Sequence, residues 1–280
     1  MRLLDKVGLG GRSPLAQLRR GDWRARPLPS ASEDVPTMLM EHELRLLEFL
    51  AEEYYRLEGL IVDAGCFLGG STAALASGLS NNLARRGLPE CPLIHSYDLF
   101  KVEDWTRGIY FPLDVEAGAS TRALFEANVA PFRALIEVHE GDITDGRWSG
   151  EPIEILFIDI AKHWSVCDWI VEQMFPRLIP GRSIVVQQDY LYGRGTAWLH
   201  ATMAYFTDEF RMLCDTQFNS VAFLLKKPFE PGSLRPKLFE SFPAETKLAL
   251  MDKAARPFRG EQAEILRAAK ADYLERFADA

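Results

Sequence analysis

Cysteine is scarce: four in 280 residues, at Cys66, Cys91, Cys167 and Cys214, with no C-x-x-C pair and no zinc spacing. That argues against a disulfide framework or a cysteine-built zinc module, and reads as reduced structural thiols in a cytoplasmic protein. No apolar run approaches the roughly 20 residues of a membrane span, and the first residues carry charges where a signal peptide would be continuously apolar. No membrane association is expected. Positive charge is also short, since 32 Lys and Arg against 40 Asp and Glu leave a net charge of −8. That excludes a general nucleic-acid binder. The G-x-G-x-x-G fingerprint of dinucleotide binding is missing too. What remains is 48% apolar and 26% charged residues, with length for one large α/β domain and appendages.

The chain is organised around residues 59–79. A short apolar run, Leu60-Ile61-Val62, ends at Asp63; a turn studded with Gly65, Gly69 and Gly70 follows, and then small and apolar residues at helical spacing. A buried strand passing through a tight turn into a helix lets the backbone approach a ligand closely and points free N–H groups at it. The acidic residue closing the strand would repel a pyrophosphate, so the ligand wanted is cationic or amphoteric.

The pattern D-x-G-x-x-x-G-G-S resembles motif I of the class I S-adenosylmethionine-dependent methyltransferases. The resemblance implies a Rossmann-like, seven-stranded, mostly parallel sheet with an antiparallel last strand, helices on both faces, and helical appendages at each end. It makes Asp63, Gly65, Cys66, Gly69, Gly70 and Ser71 cofactor-binding residues. It covers roughly residues 44–227.

The remaining elements fit that plan. Residues 1–43 are a basic arm, with seven basic against two acidic residues as far as Arg26, leading into the start of a helix over 37–57. Such an arm is mobile, packs as an irregular lid, or meets an acidic partner. After a helix over 73–79 and a polar loop over 81–92, strands are expected over 93–97, 134–139, 153–158 and 183–186. A final pair is expected over 209–214 and 221–226. Residues 101–119 carry Trp105, Tyr110 and Phe111 without periodicity and read as a lid. Helices are expected over 120–132, 164–178 and 196–207. Residues 228–280 form a proline-punctuated linker and two helices, over 244–255 and 261–277, packed on the domain or on a second copy as a homodimer.

Asp63, Asp98, Asp142, Asp159 and Asp189 all fall at or just beyond expected strand ends, the edge where a parallel sheet binds its ligand. By the same resemblance Asp98 grips the ribose and Asp142 the adenine amino group. Asp159-x-x-Lys162, together with Gln188-Asp189, resembles the catechol and macrocin-type O-methyltransferases. There the corresponding acids hold Mg²⁺ and the lysine is the base. This implies Asp159, Gln188 and Asp189 as metal ligands, with Asp159 also among the cofactor-binding residues, although Gln188 puts an amide where that family has a carboxylate. Lys162 or His163 would deprotonate the acceptor. The acceptor expected is a small hydroxylated molecule, with a sugar, a phenol and a natural-product hydroxyl all open. Trp105, Tyr110, Phe111, Trp164, Tyr190, Tyr192 and Trp198 line its pocket or belong to the core. Two other readings stand beside this one: a nucleotide-dependent oxidoreductase, and a non-catalytic partner protein of the same fold.

Overall fold

The computed structural model describes residues 12–277. Along the chain lie α1 (Pro14–Arg20), α2 (Ser30–Glu33), α3 (Glu41–Phe49), β1 (Leu60–Ala64), α4 (Gly70–Arg86), β2 (Ile94–Asp98), α5 (Arg122–Asn128) and β3 (Ile136–Glu140). They are followed by β4 (Ile153–Ile158), α6 (Trp164–Gln173), β5 (Ile184–Gln187), α7 (Ala197–Tyr205), β6 (Phe210–Asp215), β7 (Val221–Leu225), α8 (Ala244–Ala255) and α9 (Gly260–Phe277). The strands form one seven-stranded sheet in the order β3-β2-β1-β4-β5-β7-β6. Pairing is parallel from β3 to β5, and β7 runs antiparallel to both β5 and β6. This is the α/β class expected from the sequence.

The central strands are mostly apolar because both of their faces are covered, with Asp63 and Glu154 as their buried charged residues. β1 and β4 are buried at every residue, as a parallel sheet between two helical layers requires. Alternate residues feed two cores. Val62, Leu156 and Val185 face α6, α7 and the C-terminal segment, whereas Ile61, Ile155 and Ile184 face α3 and α4. Strand order reverses between the parallel neighbours β1 and β4, so the connections leaving their carboxyl ends diverge and open a crevice between them.

One expectation needs correction, and two open ones are resolved. The stretch 81–92 is not a loop throughout, because α4 continues to Arg86 and ends at Gly87 with φ +63°. Asn82 explains the extension: its side-chain amide donates to the carbonyls of Ala51 at 3.0 Å, Glu52 at 2.9 Å and Tyr55 at 3.0 Å, groups freed where the helix after α3 loosens into a π turn. Polar residues here read as loop but form the face that binds the neighbouring helix.

The arm is ordered wherever it is described, with Leu18 and Trp23 fully buried against the α3 layer; residues 1–11 of that expectation lie outside the described residues. Its acidic partner is its own chain: Arg26 lies among Glu48, Glu52 and Glu53, and Arg24 beside Asp215. The C-terminal segment is integral to the domain. Asp168 on α6 accepts from the backbone N–H groups of Phe239 (2.8 Å) and Glu240 (2.9 Å), while Phe239, Phe258 and Leu266 join the main core.

Candidate active site

The carboxyl edge of the sheet gathers the residues singled out in the sequence, in two groups. The first surrounds the glycine loop. Gly65 follows β1 with φ +102°, and a Cβ there would lie 2.8 Å from Ile160 Cγ2 and 3.0 Å from the Asp159 carbonyl carbon. A side chain at 65 would thus push β1 and β4 apart at the crevice. Gly69 has φ +99° and faces Val129 and Phe125, and a Cβ on Gly70 would meet the side chain of Thr37. The chain before α3 therefore lies against the first turn of α4. Tyr110 reaches the same place, donating from its hydroxyl to the Thr37 carbonyl at 3.4 Å, and its ring packs edge-on to Phe67. The stretch expected as a lid does cover the loop.

Asp63 has no exposed surface. Its Oδ2 accepts from Ser71 Oγ at 2.9 Å and from Thr72 Oγ1, while Oδ1 is buried without a hydrogen-bond partner among the described residues. Ser71 and Asp63 thus form one unit that fixes the start of α4. Cys66 contributes backbone to the loop, its carbonyl accepting from Gly69 N at 2.8 Å, but its thiol turns into the core and burial raises its pKa. Asp98 accepts from the N–H groups of Phe67 (2.8 Å) and Phe100 (2.8 Å), so it holds the loop as well as facing the crevice; burial raises its pKa. Asp142 is exposed beyond β3, where its Oδ1 accepts from Thr144 N at 2.9 Å and Thr144 Oγ1 at 2.7 Å, bonds that lower its pKa.

Burial pushes the Asp63 carboxyl from 3.8 up to about 6, against the opposing pull of Thr72 and Ser71. A carboxyl raised on folding binds more protons folded than unfolded between the two values. Its stabilising contribution is therefore complete below about pH 4 and is lost as pH rises through 6. Asp63→Asn should flatten the stability profile across that window by about 3 kcal/mol relative to the parent chain. Denaturant titrations at pH 4 and 6.5 check this; equal slopes for the two proteins would refute it.

The second group centres on Lys162, in the turn after β4. Its Nζ donates to Asp159 Oδ1 at 2.9 Å, to Gln188 Oε1 at 3.2 Å and to Asp189 Oδ2. Asp189 is held at φ +60°, a left-handed conformation that turns the chain sharply after β5. Burial pushes Asp159 up to about 7 despite the adjacent ammonium, with Asp189 and Glu43 adding to the rise. Lys162 is moved the other way: Asp159 and Asp189 together outweigh its burial and raise its pKa. The ammonium stays charged, which is the wrong state for a base. His163 is exposed at the start of α6, its ring 6.0 Å from that of Trp198.

Glu43 is the member that sequence reasoning missed. It lies at the start of α3, 1% exposed, accepting from Met40 N at 2.9 Å, Ser220 Oγ at 2.6 Å and Asn219 Nδ2 at 3.3 Å. Burial raises its pKa, and its charge reaches Asp159 and Asp189. The signal available was its place three residues after Met40, the N3 position of a helix start. The aromatic candidates divide: Tyr190 and Trp198 are buried in the core, and Trp164 is stacked edge-on to Trp198 and Tyr273, whereas Trp105 and Tyr192 are exposed.

Two groups therefore share one crevice, a loop without a basic side chain from Asp63 to Thr72 and a cluster of two carboxylates on one ammonium, with the charge of Glu43 reaching Asp159. No family model matches the chain, and no curated protein matches it. Among solved structures it is similar to a proposed RNA methyltransferase of Pyrococcus horikoshii, at 10% identity and a TM-score of 0.41 over 76% of this chain and 98% of that one. It is also similar to a coclaurine N-methyltransferase bound to N-methylheliamine and SAH, at 13% identity and a TM-score of 0.37 over 94% of this chain and 79% of that one. At such identities the likeness does not extend to substrate or reaction. Among the described residues, no helix is long and apolar enough to cross a membrane.

Proposed function

We propose that the chain is an S-adenosylmethionine-dependent methyltransferase acting on a hydroxyl of a small molecule, such as a sugar, a phenol or a natural-product intermediate. The observation carrying this reading is Asp159, raised to about 7 and hydrogen-bonded to Lys162, beside the glycine loop at the crevice between β1 and β4. The loop suits an amphoteric ligand: it presents carboxylates and glycines, with no cation for a phosphate, and Asp63 keeps one buried oxygen without a partner. Asp98 would hold ribose hydroxyls and Asp142 the adenine amino group. When bound, S-adenosylmethionine supplies an electrophilic methyl group on a sulfonium.

The protein's part is alignment and proton removal. Asp159 is the better base, because a carboxylate near pH 7 is half ionised there and can take the hydroxyl proton in the transition state. Lys162 fixes Asp159 and Asp189 by hydrogen bonds and balances their charge. Mg²⁺ does not fit this arrangement, since the ammonium of Lys162 stands among the donors Asp159, Gln188 and Asp189.

Calorimetric titration of the chain with S-adenosylmethionine, with NAD as control, tests the reading. Saturable binding of S-adenosylmethionine, unchanged by added Mg²⁺, with none of NAD, is the expected result. Binding of NAD instead, or of neither ligand, would overturn it.

A further inference from the structure

The outer edge of the sheet holds a second cluster that methyl transfer does not use. His95 on β2 stands directly opposite Glu137 on β3, and His139, two residues further along β3, lies opposite Tyr97 on the same face. His139 Nε2 is 3.0 Å from His95 Nδ1, Glu137 Oε2 is 3.6 Å from His95 Nε2, and Glu137 Oε1 is 3.7 Å from His139 Nε2. One donor atom from each of the three lies within 4.8 Å of the others.

We propose that His95, Glu137 and His139 form a binding site for a late first-row divalent ion, with Zn²⁺ the expected occupant, spanning the two outermost parallel strands. Two imidazole nitrogens 3.0 Å apart, each about 2.0–2.1 Å from one ion, subtend roughly 90–100° at it, a normal ligand angle. Imidazole with one carboxylate suits zinc and its neighbours rather than Mg²⁺ or Ca²⁺, which prefer all-oxygen shells.

The rings are held in place beforehand. His139 is stacked on Tyr97 with centroids 4.2 Å apart and planes 10° from parallel, and His95 lies between His139 and Trp148. Strand register fixes the three Cα positions, so little ordering is left for binding to impose. Access comes from the solvent side: His95 is buried, but the Glu137 side chain is 54% exposed, leaving the fourth position to water.

The ion's effect would be mechanical. β2 runs into Asp98 and β3 into Asp142, so a staple between these strands fixes the edge that carries both carboxylates. Asp98 itself, one residue past Tyr97, points to the other face of the sheet.

The full chain, stripped with chelator and dialysed, is titrated calorimetrically with ZnCl₂ and, in parallel, with Co²⁺ followed by its visible absorption. Glu137→Gln and His139→Gln serve as comparisons at positions exposed enough to leave the core intact. One equivalent of Zn²⁺ should bind and raise Tm, Co²⁺ should give ligand-field bands of a low-symmetry nitrogen–oxygen site, and each variant should weaken binding by at least about 100-fold. Absence of saturable binding would overturn the proposal. So would equal binding by parent and variants, which places the ion elsewhere.

Discussion

Lys162→Met should slow methyl transfer at pH 7 by roughly 10- to 1000-fold and move the acid limb of the pH–rate profile upward. An ammonium beside a carboxylate lowers that carboxyl's pKa by about 1–3 units, and its removal returns the same amount. Asp159 already stands at about 7 with the ammonium present, because burial outweighs it. Without Lys162, Asp159 and Asp189 face each other and Glu43 with no counter-charge, so the proton on Asp159 is lost only at higher pH. Activity should recover as pH rises toward the new limb, which an unfolded or misfolded variant would not do. Asp159→Asn should behave differently, losing about 10²- to 10⁴-fold at every pH with no recovery, as expected when a general base is removed. The pair of profiles separates two assignments of the base. If Asp159→Asn kept a limb near neutrality while Lys162→Met abolished turnover at all pH values, Lys162 would be the base and the charge argument would fail.

How far this site was legible in the sequence depends on the distance over which each signal acts. Strand ends were legible because burial on both faces makes residues 60–62 of β1 and 155–158 of β4 apolar runs stopped by an aspartate; β4 begins and ends where expected. Asp159, Lys162 and Asp189 were found because each sits within a few residues of such an end. Their electrostatic roles were not, since the state of Lys162 depends on two carboxylates, one of them 27 positions away in sequence. Glu43 was invisible for the same reason: its partners, Asn219 and Ser220, come from the turn between β6 and β7.

The helical character of residues 81–86 was hidden because their polarity serves carbonyls of another helix, where local periodicity carries no trace. His95 and Glu137 were passed over as ordinary strand residues. Only the parallel register of β2 with β3 brings them together.

Arg182→Met should cost about 3–5 kcal/mol of stability, roughly 10 °C in Tm for a chain of this size. Arg182, at the turn before β5, meets Glu154, a β4 carboxylate with no exposed surface. Its Nε donates to Glu154 Oε1 at 2.7 Å, and its Nη2 donates to the same oxygen. The guanidinium lies over the Tyr54 ring at 4.1 Å, and the Tyr54 hydroxyl donates to the Arg182 carbonyl at 2.6 Å. Glu154 in turn accepts from the backbone N–H groups of Arg56 at 2.6 Å and Glu58 at 2.8 Å. One ion pair thus fastens the chain between α3 and β1 to the amino-terminal edge of the sheet, opposite the edge proposed to bind the cofactor.

Removing the guanidinium alone leaves a buried charge without its counter-ion, and that penalty, more than the lost attraction, sets the size of the effect. Glu154→Gln in the Arg182→Met background should therefore regain stability, because a neutral amide keeps a carbonyl oxygen for an N–H group without the uncompensated charge. Glu154→Ala should not, since it strands both backbone N–H groups at about 1–3 kcal/mol each. Denaturant titration of the single and double variants measures the coupling. Simple additivity of Arg182→Met and Glu154→Gln would mean that the pair is not the fastening inferred from its geometry.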